Sequence, residues 1–279
     1  MLRSMASAIS GLRNHQIYMD VVADNISNVN TSGYKSSRVN FKEAISQTLS
    51  GGSDATDMTG GINPVQVGLG MTLGGIDTLM TQGSLISTGK TTDLAIQGEG
   101  FFMLGSGDPT AAMTPAYFTR DGAFGLDNRG YLVERTSGYY VMNAAGTGPV
   151  LLDPTWGWAS FSIGADGKII GVLTDGTTDP DPTHKPQIGL AKFPNSEGLT
   201  KSGGNLFQSS PNSGAATPAA PLTAGTGLGS LVPGSLEASN VDLAEQFSRM
   251  IMAQRGFQAN SRAITASDEM LQELVNIKR

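Results

Sequence analysis

A few residues have the types and spacing that catalysis uses. Ser32 and Lys35 are separated by two residues, which is the spacing of the nucleophilic serine and its lysine in penicillin-binding enzymes. In those enzymes the serine opens a helix, whereas Ser32 precedes Gly33 in a sequence that predicts a turn, and the companion motifs are missing. The pair therefore favours a turn over a nucleophile.

Cofactor and metal binding have equally little support. Gly68, Gly70 and Gly74 lack the spacing of a dinucleotide-binding loop, and no strand–helix–strand pattern surrounds them. His15 lies on a predicted helix and His184 in a proline-rich loop, both without the carboxylate pattern of a metal site. No nucleophile, base and orienting group can be assembled from the sequence. We therefore predict a protein that is not an enzyme, with no catalytic residues, no cofactor and no metal ligand.

The bulk composition is typical of a protein whose surface is covered by other copies of itself. Charged residues make up 15% of the 279 residues, well below the roughly 25% of globular proteins. The net charge of −6 argues against nucleic acid as a partner, and the absence of cysteine excludes disulfides. No apolar run approaches the roughly 18 residues of a membrane helix, and the first residues lack the apolar core of a cleavable signal peptide. We expect no membrane insertion.

Three zones of the chain differ in composition. Residues 1–30 and 240–279 contain no proline and one glycine each, Gly11 and Gly256, whereas all 13 prolines lie between them. Proline and glycine disfavour a helix interior, so both ends predict helices. We expect each of the two glycines to be tolerated because it allows another helix to approach closely.

Apolar residues repeat in both predicted helices at alternating steps of three and four, the pattern of a narrow coiled-coil seam. Gln16 and Gln254 also fall in these seams, where a polar residue can set the register. The segment Ser239-Asn240-Val241-Asp242, with an acid three residues after the serine, predicts a cap just before the second helix. Neither stripe has a partner nearby in the sequence, so we expect the two ends to pair. The seam residues predicted to drive assembly are Leu2, Met5, Ile9, Leu12, Met19, Ile26, Leu243, Phe247, Met250, Phe257, Ile264, Leu271 and Val275.

The middle of the chain predicts an all-β domain. Short apolar runs recur along it, separated by turn signals such as Asp121-Gly122 and Asp166-Gly167. The predicted fold class is therefore α+β multidomain, with long N- and C-terminal helices that pair as a coiled coil and a central all-β domain. The runs are 94–96, 101–104, 117–119, 139–142, 161–163, 169–173 and 188–193.

The stretch that follows the first helix resembles a known family. Residues 20–35 read DVVADNISNVNTSGYK, which closely resembles the N-terminal signature of bacterial flagellar axial proteins of the hook and rod. Asparagines in this stretch can hydrogen-bond the backbone at a helix end, and Gly33 tolerates a positive φ. The residues that carry this signature, together with two near the second helix, are Asp24, Asn25, Asn28, Gly33, Tyr34, Lys35, Asn240 and Asp242.

Three further blocks resemble the same family. Residues 93–102, DLAIQGEGFF, look like its β-domain entry, and residues 118–132, with FTRDGAF and DNRGYL, look like the next hairpin. Residues 239–260, with SNVDL and MIMAQRGFQAN, look like its C-terminal helix. Four ordered blocks at both ends and in the middle make a chance match very improbable.

The resemblance implies an architecture and a set of partners. Residues 1–30 plus 240–279 would form an inner coiled-coil domain, 31–75 plus 222–239 an extended linker, and 76–221 an outer β domain. The chain would assemble with itself as a helical homopolymer and contact adjacent axial proteins of the rod, hook cap or hook–filament junction. Export would use the flagellar type III apparatus without a cleaved signal peptide. The protein would then be located in the hook or basal body, outside the cytoplasm.

Two kinds of axial protein remain possible, together with one function of a different class. The C-terminal block looks more like that of hook proteins, so we favour a short hook subunit whose tube transmits motor torque to the filament. The chain length and the insertion at 47–70 suit a distal rod subunit. A secreted β-domain binding module would explain the middle but leave both terminal seams without purpose. We also hypothesise that the terminal helices become fully ordered only on assembly, since neither seam has a local partner.

Overall fold

A computed structural model of the chain describes residues 2–54, 60–179, 181 and 184–277. In chain order, a long helix is followed by a β-rich region and then by a second long helix. Helix α1 spans Leu2–Ser27 and helix α2 spans Leu243–Ile277. The predicted α+β class, with a helix at each end, is confirmed. Positions 1, 55–59, 180, 182, 183, 278 and 279 of the predicted regions, and the side chain of Leu2, lie outside the described residues.

Short strands fill the region between the helices. All seven apolar runs of the sequence analysis overlap a strand, so these predictions are confirmed. The strands are β1 (Ser37–Glu43), β2 (Ser46–Ser50), β3 (Val65–Gly68), β4 (Met71–Thr78), β5 (Leu85–Ser87), β6 (Leu94–Gln97), β7 (Phe101–Gly105), β8 (Tyr117–Thr119), β9 (Phe124–Leu126), β10 (Leu132–Glu134), β11 (Tyr140–Val141), β12 (Trp158–Ile163), β13 (Ile169–Leu173), β14 (Leu190–Lys192), β15 (Thr200–Gly203), β16 (Leu206–Gln208), β17 (Thr217–Ala219), β18 (Ser230–Pro233) and β19 (Ser235–Glu237).

The described residues divide into two compact units. The helical unit comprises residues 1–27, 37–78 and 242–279, and the β unit comprises 28–36 and 79–241. The segment expected to be a linker at 31–75 is therefore shared between them: its first six residues belong to the β unit and the rest to the helical unit.

The helical unit consists of the two helices and two antiparallel strand pairs. α1 contacts α2, β1 and β4. β1 pairs with β4 along its whole length, with a bulge between Asn40 and Phe41, and Asn14 of α1 donates to the carbonyl of Met71 at the start of β4 (2.7 Å). β2 pairs with β3, and every residue of these two strands is exposed to solvent.

The β unit is built around strand β7, which has apolar side chains on both faces. The largest sheet has the order β15-β16-β8-β7-β11-β10-β9, and β14 joins it beside β7. Side chains alternate between the two faces of a strand. Phe102 and Leu104 accordingly belong to one buried cluster, and Phe101 and Met103 to a second. A run of consecutive apolar residues is what a strand with two buried faces requires.

Candidate functional site

The two helices contact each other through faces that mix small, polar and apolar residues. On both helices, buried and half-buried residues recur at alternating steps of three and four, which keeps them on one face. On α1 these residues are Ala8, Gly11, His15, Tyr18, Val22 and Asn25. On α2 they are Gln246, Met250, Ala253, Phe257, Asn260, Ile264, Ser267 and Leu271.

Contacts along this interface show that the helices run antiparallel. A Cβ added to Gly11 would lie 2.7 Å from Nδ2 of Asn260, whereas Asn25, later in α1, contacts Gln246, earlier in α2. A Cβ added to Gly256 would lie 2.5 Å from the ring of His15. Both helix glycines therefore stand where the other helix approaches closely, as predicted.

Asn25 sets the register at the other end of the helix pair. Its Nδ2 donates to Oε1 of Gln246 (3.2 Å) and to the carbonyl of Ser37 (2.8 Å). Its Oδ1 accepts the N–H of Ser37 (2.9 Å), so one buried amide satisfies both backbone groups at the start of β1. Gln16 and Gln254, which were predicted to set the register, are exposed, whereas Asn25 and Gln246 make a polar contact between the two helices.

The predicted seam residues are distributed over more than this one interface. Eight of them are half-buried: Met5, Leu12, Met19, Ile26, Met250, Phe257, Ile264 and Leu271. Four are exposed: Ile9, Leu243, Phe247 and Val275. On α1 the buried face lies one residue from the predicted stripe, because Gly11, His15 and Asn25 occupy it in place of larger apolar residues. The assembly role of the seam residues stays a prediction.

The signature residues after α1 form part of the β unit. Gly33 has the predicted positive φ (+66°), and a Cβ there would lie 2.5 Å from the backbone nitrogen of Asp121. Its N–H donates to the carbonyl of Glu237 (2.8 Å). Tyr34 is buried, and Nζ of Lys201 lies 5.0 Å from the centre of its ring. The Gly-Tyr-Lys element therefore anchors the chain to the β unit.

Lys35 completes this anchor in a buried charge cluster. Its Nζ lies 2.6 Å from Oε1 of Glu237 and donates to the carbonyl of Thr81 (2.7 Å). Nη1 of Arg120 lies 3.3 Å from Oε2 of the same Glu237, and Nη2 of Arg120 donates to the carbonyl of Gly98 (2.8 Å). Burial lowers the pKa of Lys35 and of Arg120, and attraction to Glu237 opposes both shifts. One carboxylate thus serves two cations, a cluster with a net charge of +1.

The remaining signature residues lie close to the points along the chain where one unit ends and the other begins. Within the β unit, Asn240 Nδ2 donates to the carbonyl of Leu79 (2.9 Å) and its Oδ1 accepts the N–H of Ser36 (2.8 Å). Within the helical unit, Oδ1 of Asp242 accepts the N–H groups of residues 244 and 245. Asp242 therefore caps α2, so the cap comes from the segment 239–242 that was predicted to supply it. Asp24 is exposed, and Asn28 Oδ1 accepts from the hydroxyl of residue 31 (3.2 Å).

Sequence reasoning missed Glu237, Arg120, Gln246 and Asn260 as members of these contacts. Each lies inside or beside a block that resembles the flagellar family, but no local pattern shows that Glu237 lies beside Lys35, 202 residues earlier in the chain. No group of three or more histidine, acidic or cysteine side chains among the described residues is arranged to hold a metal ion. In the same part of the chain, neither helix is long and apolar enough to cross a membrane.

The helix pair and the anchored β unit correspond to a class of self-associating flagellar proteins. Residues 5–35 match the family described as flagella basal body rod protein. Residues 95–171 match the flagellar hook protein FlgE/F/G D1 domain, and residues 232–277 match the flagellar basal body rod FlgEFG protein C-terminal region. These matches contain most of the blocks from which the resemblance was drawn.

Full-length relatives identify the family. The chain is 50% identical to the flagellar basal-body rod protein FlgG of Bacillus subtilis over 279 residues, covering all of both chains. It is 38% identical to FlgG and 30% identical to the flagellar hook protein FlgE of Borreliella burgdorferi, again over the whole of each chain. The chain therefore belongs to the FlgE/F/G family of flagellar axial structural proteins. These identities favour the rod alternative over the hook that the sequence analysis preferred.

Proposed function

We propose that the chain is a subunit of the distal rod of the flagellar basal body, which polymerises into a helical tube that transmits rotation. The higher identity to rod proteins carries this choice. In Borreliella burgdorferi, where both types can be compared, the rod protein is the nearer relative, at 38% against 30% identity. The rod relative from Bacillus subtilis also aligns over 279 residues, covering all of both chains.

The surface of α2 supports assembly through the terminal helices. Leu243, Phe247 and Ile251 follow at steps of four, so they share one face, and they are 40%, 51% and 51% exposed. The partner face on α1 mixes small, polar and apolar residues. A second copy of the chain would bury the exposed apolar face, at about 25 cal/mol for each Å² removed from water. We propose that the helices of neighbouring copies complete a coiled coil in this way.

Complementation separates a rod subunit from a hook subunit. The chain would be expressed in one strain that lacks its distal rod protein and in another that lacks its hook protein. We expect swimming to return in the first strain only. Recovery in the hook-deficient strain alone would overturn the rod assignment and favour the hook, whose full-length relative motivates this second arm.

A matched pair of variants tests the assembly surface. Ile251→Ser removes an apolar side chain from the exposed face of α2, and Ile86→Ser removes one of similar exposure (57%) from β5. We expect the first variant to remain folded and fail to polymerise, as seen by electron microscopy, while the second still forms tubes. Tubes of normal length from Ile251→Ser would count against the α2 surface.

Two further elements of the proposal concern ordering and delivery. We propose that the helices gain order when copies associate, so circular dichroism at 222 nm should strengthen as polymers form. A signal that is unchanged by polymerisation would refute this coupling.

We also propose export by the flagellar type III apparatus and contact with adjacent axial proteins. Export is tested by whether the chain reaches the medium in cells with and without that apparatus.

A further inference from the structure

A polar cavity of about 380 Å³ opens in the β unit beside the charge cluster. Its lining combines aromatic and thioether side chains with three charged residues, and includes Met80, Glu99, Phe101, Arg120, Lys192 and Phe193. Two of the charged residues are cations, Arg120 and Lys192. None of the residues that line this cavity belongs to the exposed face of α2 proposed for assembly.

Arg120 brings an incompletely compensated charge to the cavity wall. Its side chain is 5% exposed, and it shares the carboxylate of Glu237 with Lys35. Its Nε is buried and has no hydrogen-bond partner among the described residues. The guanidinium carbon lies 5.3 Å from the centre of the Phe101 ring, which also lines the cavity. A buried cation with a free donor is costly unless an anion or acceptor reaches it.

The second cation stands nearer to solvent and can be released from its present partner. Nζ of Lys192 lies 2.7 Å from Oε2 of Glu99, and the side chains are 38% and 71% exposed. Exposed ion pairs of this kind contribute little to stability, so an incoming anion can replace Glu99 as the partner of Lys192. The cavity lining therefore contains one buried and one partly exposed cation.

We propose that this cavity is a carboxylate-binding site. Arg120 Nε and Lys192 Nζ each donate to a carboxylate oxygen, on the same carboxylate or on the two carboxylates of a diacid. Carboxylates suit this arrangement because they accept charge-assisted hydrogen bonds from guanidinium and ammonium groups. The apolar side chains of Met80 and Phe193 would contact the carbon chain that bears the group. The ligand is either an acidic side chain of a neighbouring copy or a dissolved organic acid.

The direct test follows the Nε–H resonance of Arg120 in the unassembled full-length chain during titration with succinate. We expect a saturable shift, with chloride at equal ionic strength producing none. Lys192→Gln should weaken binding about three- to tenfold, the effect of one partly exposed ion pair. Glu99→Gln should strengthen it, because the competing carboxylate is removed.

Lys168→Gln is the matched control, since Lys168 makes a similar exposed pair with Asp166 (3.0 Å) on the same unit. It should leave the succinate affinity unchanged. A resonance that does not move, that moves equally with chloride, or that responds equally in Lys192→Gln and Lys168→Gln overturns the site.

A second arm distinguishes the two sources of the ligand and alone rests on the proposed polymerisation. Saturating succinate should slow polymerisation if a neighbouring copy inserts its carboxylate, and should leave it unchanged if dissolved acids are the ligand. Either result is interpreted only after the resonance shift has established binding. Because that shift is measured without assembly, failure of the site and failure of the proposed function remain distinguishable.

Discussion

The charge cluster of Lys35, Glu237 and Arg120 leads to a prediction about the sign and size of two substitutions. The wild-type cluster carries a net charge of +1, since two cations share one carboxylate. Lys35→Met leaves a neutral Arg120–Glu237 pair, whereas Glu237→Gln leaves two buried cations without a counter-charge. The glutamate substitution should therefore cost far more stability than the lysine substitution, although the two residues contact each other directly.

The expected magnitudes follow from the contacts that each variant removes. Breaking a buried ion pair by removing one partner costs about 3–5 kcal/mol, which is the expectation for Glu237→Gln. Lys35→Met removes one charged donor from the carbonyl of Thr81, which still accepts from Nδ2 of Asn240 (3.3 Å), and it leaves Glu237 paired with Arg120. The expected cost is that of one hydrogen bond to a charged group, about 1.5–3 kcal/mol. In the double variant only Arg120 keeps its charge, so its loss should be smaller than the sum of the two single losses.

Urea unfolding followed by tryptophan fluorescence measures these differences. Both tryptophans of the chain, Trp156 and Trp158, lie in the β unit with the cluster, so their emission reports the correct transition. The exposed residue Glu197 provides the control, because Glu197→Gln should change stability by less than about 0.5 kcal/mol. Equal losses for Lys35→Met and Glu237→Gln, or strict additivity in the double variant, would refute the charge argument.

Three further predictions concern other contacts. Gly11→Ala should lower the thermal stability of the helix pair, although alanine favours a helix by up to about 1 kcal/mol, because the new Cβ would lie 2.7 Å from Asn260. Asn25→Ala should cost about 1–3 kcal/mol and speed amide exchange at Ser37, whose N–H and carbonyl lose their hydrogen bonds to Asn25. Hydrogen bonds lower the pKa of Asp179 from its ordinary value of 3.8 to about 2. The stabilisation that the ionised carboxylate provides should therefore be lost as the pH falls from 3.8 towards 2, which unfolding measurements at a series of acid pH values would detect.

Each of these predictions has its own control. Gly11→Ala combined with Asn260→Ala should recover stability, because the nearest obstructing atoms belong to the Asn260 side chain. Asn25→Asp keeps the acceptor for the Ser37 N–H but removes the amide donor, so it should retain part of the exchange protection. Asp179→Asn should remove the acid-dependent step, because an amide does not titrate. An unchanged acid transition in that variant would assign the step to another carboxyl group.

The β-strands could be predicted from the sequence because their signals are local. The run at 169–173 coincides with β13, and it follows the turn signal at Asp166-Gly167 that sets its start. Gly33 was predictable for the same reason, since a positive φ is a requirement that one residue type satisfies. Elements like these need no knowledge of distant residues.

The helix interface could be predicted only in part. Counting apolar residues identified the half-buried Phe257 and Ile264, but the same count missed Asn25, Gln246 and Asn260, which are polar and lie on the inner face. A polar residue becomes favourable in such a place only when its partner is present, and the partners lie on the other helix. The cluster around Glu237 was missed for the same reason, because its energy depends on contacts across 202 residues of chain.

The antiparallel pairing of the chain ends places a constraint on the order of folding. Asn25 and Gln246 are 221 residues apart, so the loop that this contact closes contains most of the polypeptide. Loop-closure entropy and high contact order both slow the formation of such contacts. During synthesis, α1 emerges long before α2 exists. The interface between the helices therefore forms last, and a chain truncated before residue 243 keeps only β1 and β4 as partners of its first helix, however well its β unit folds.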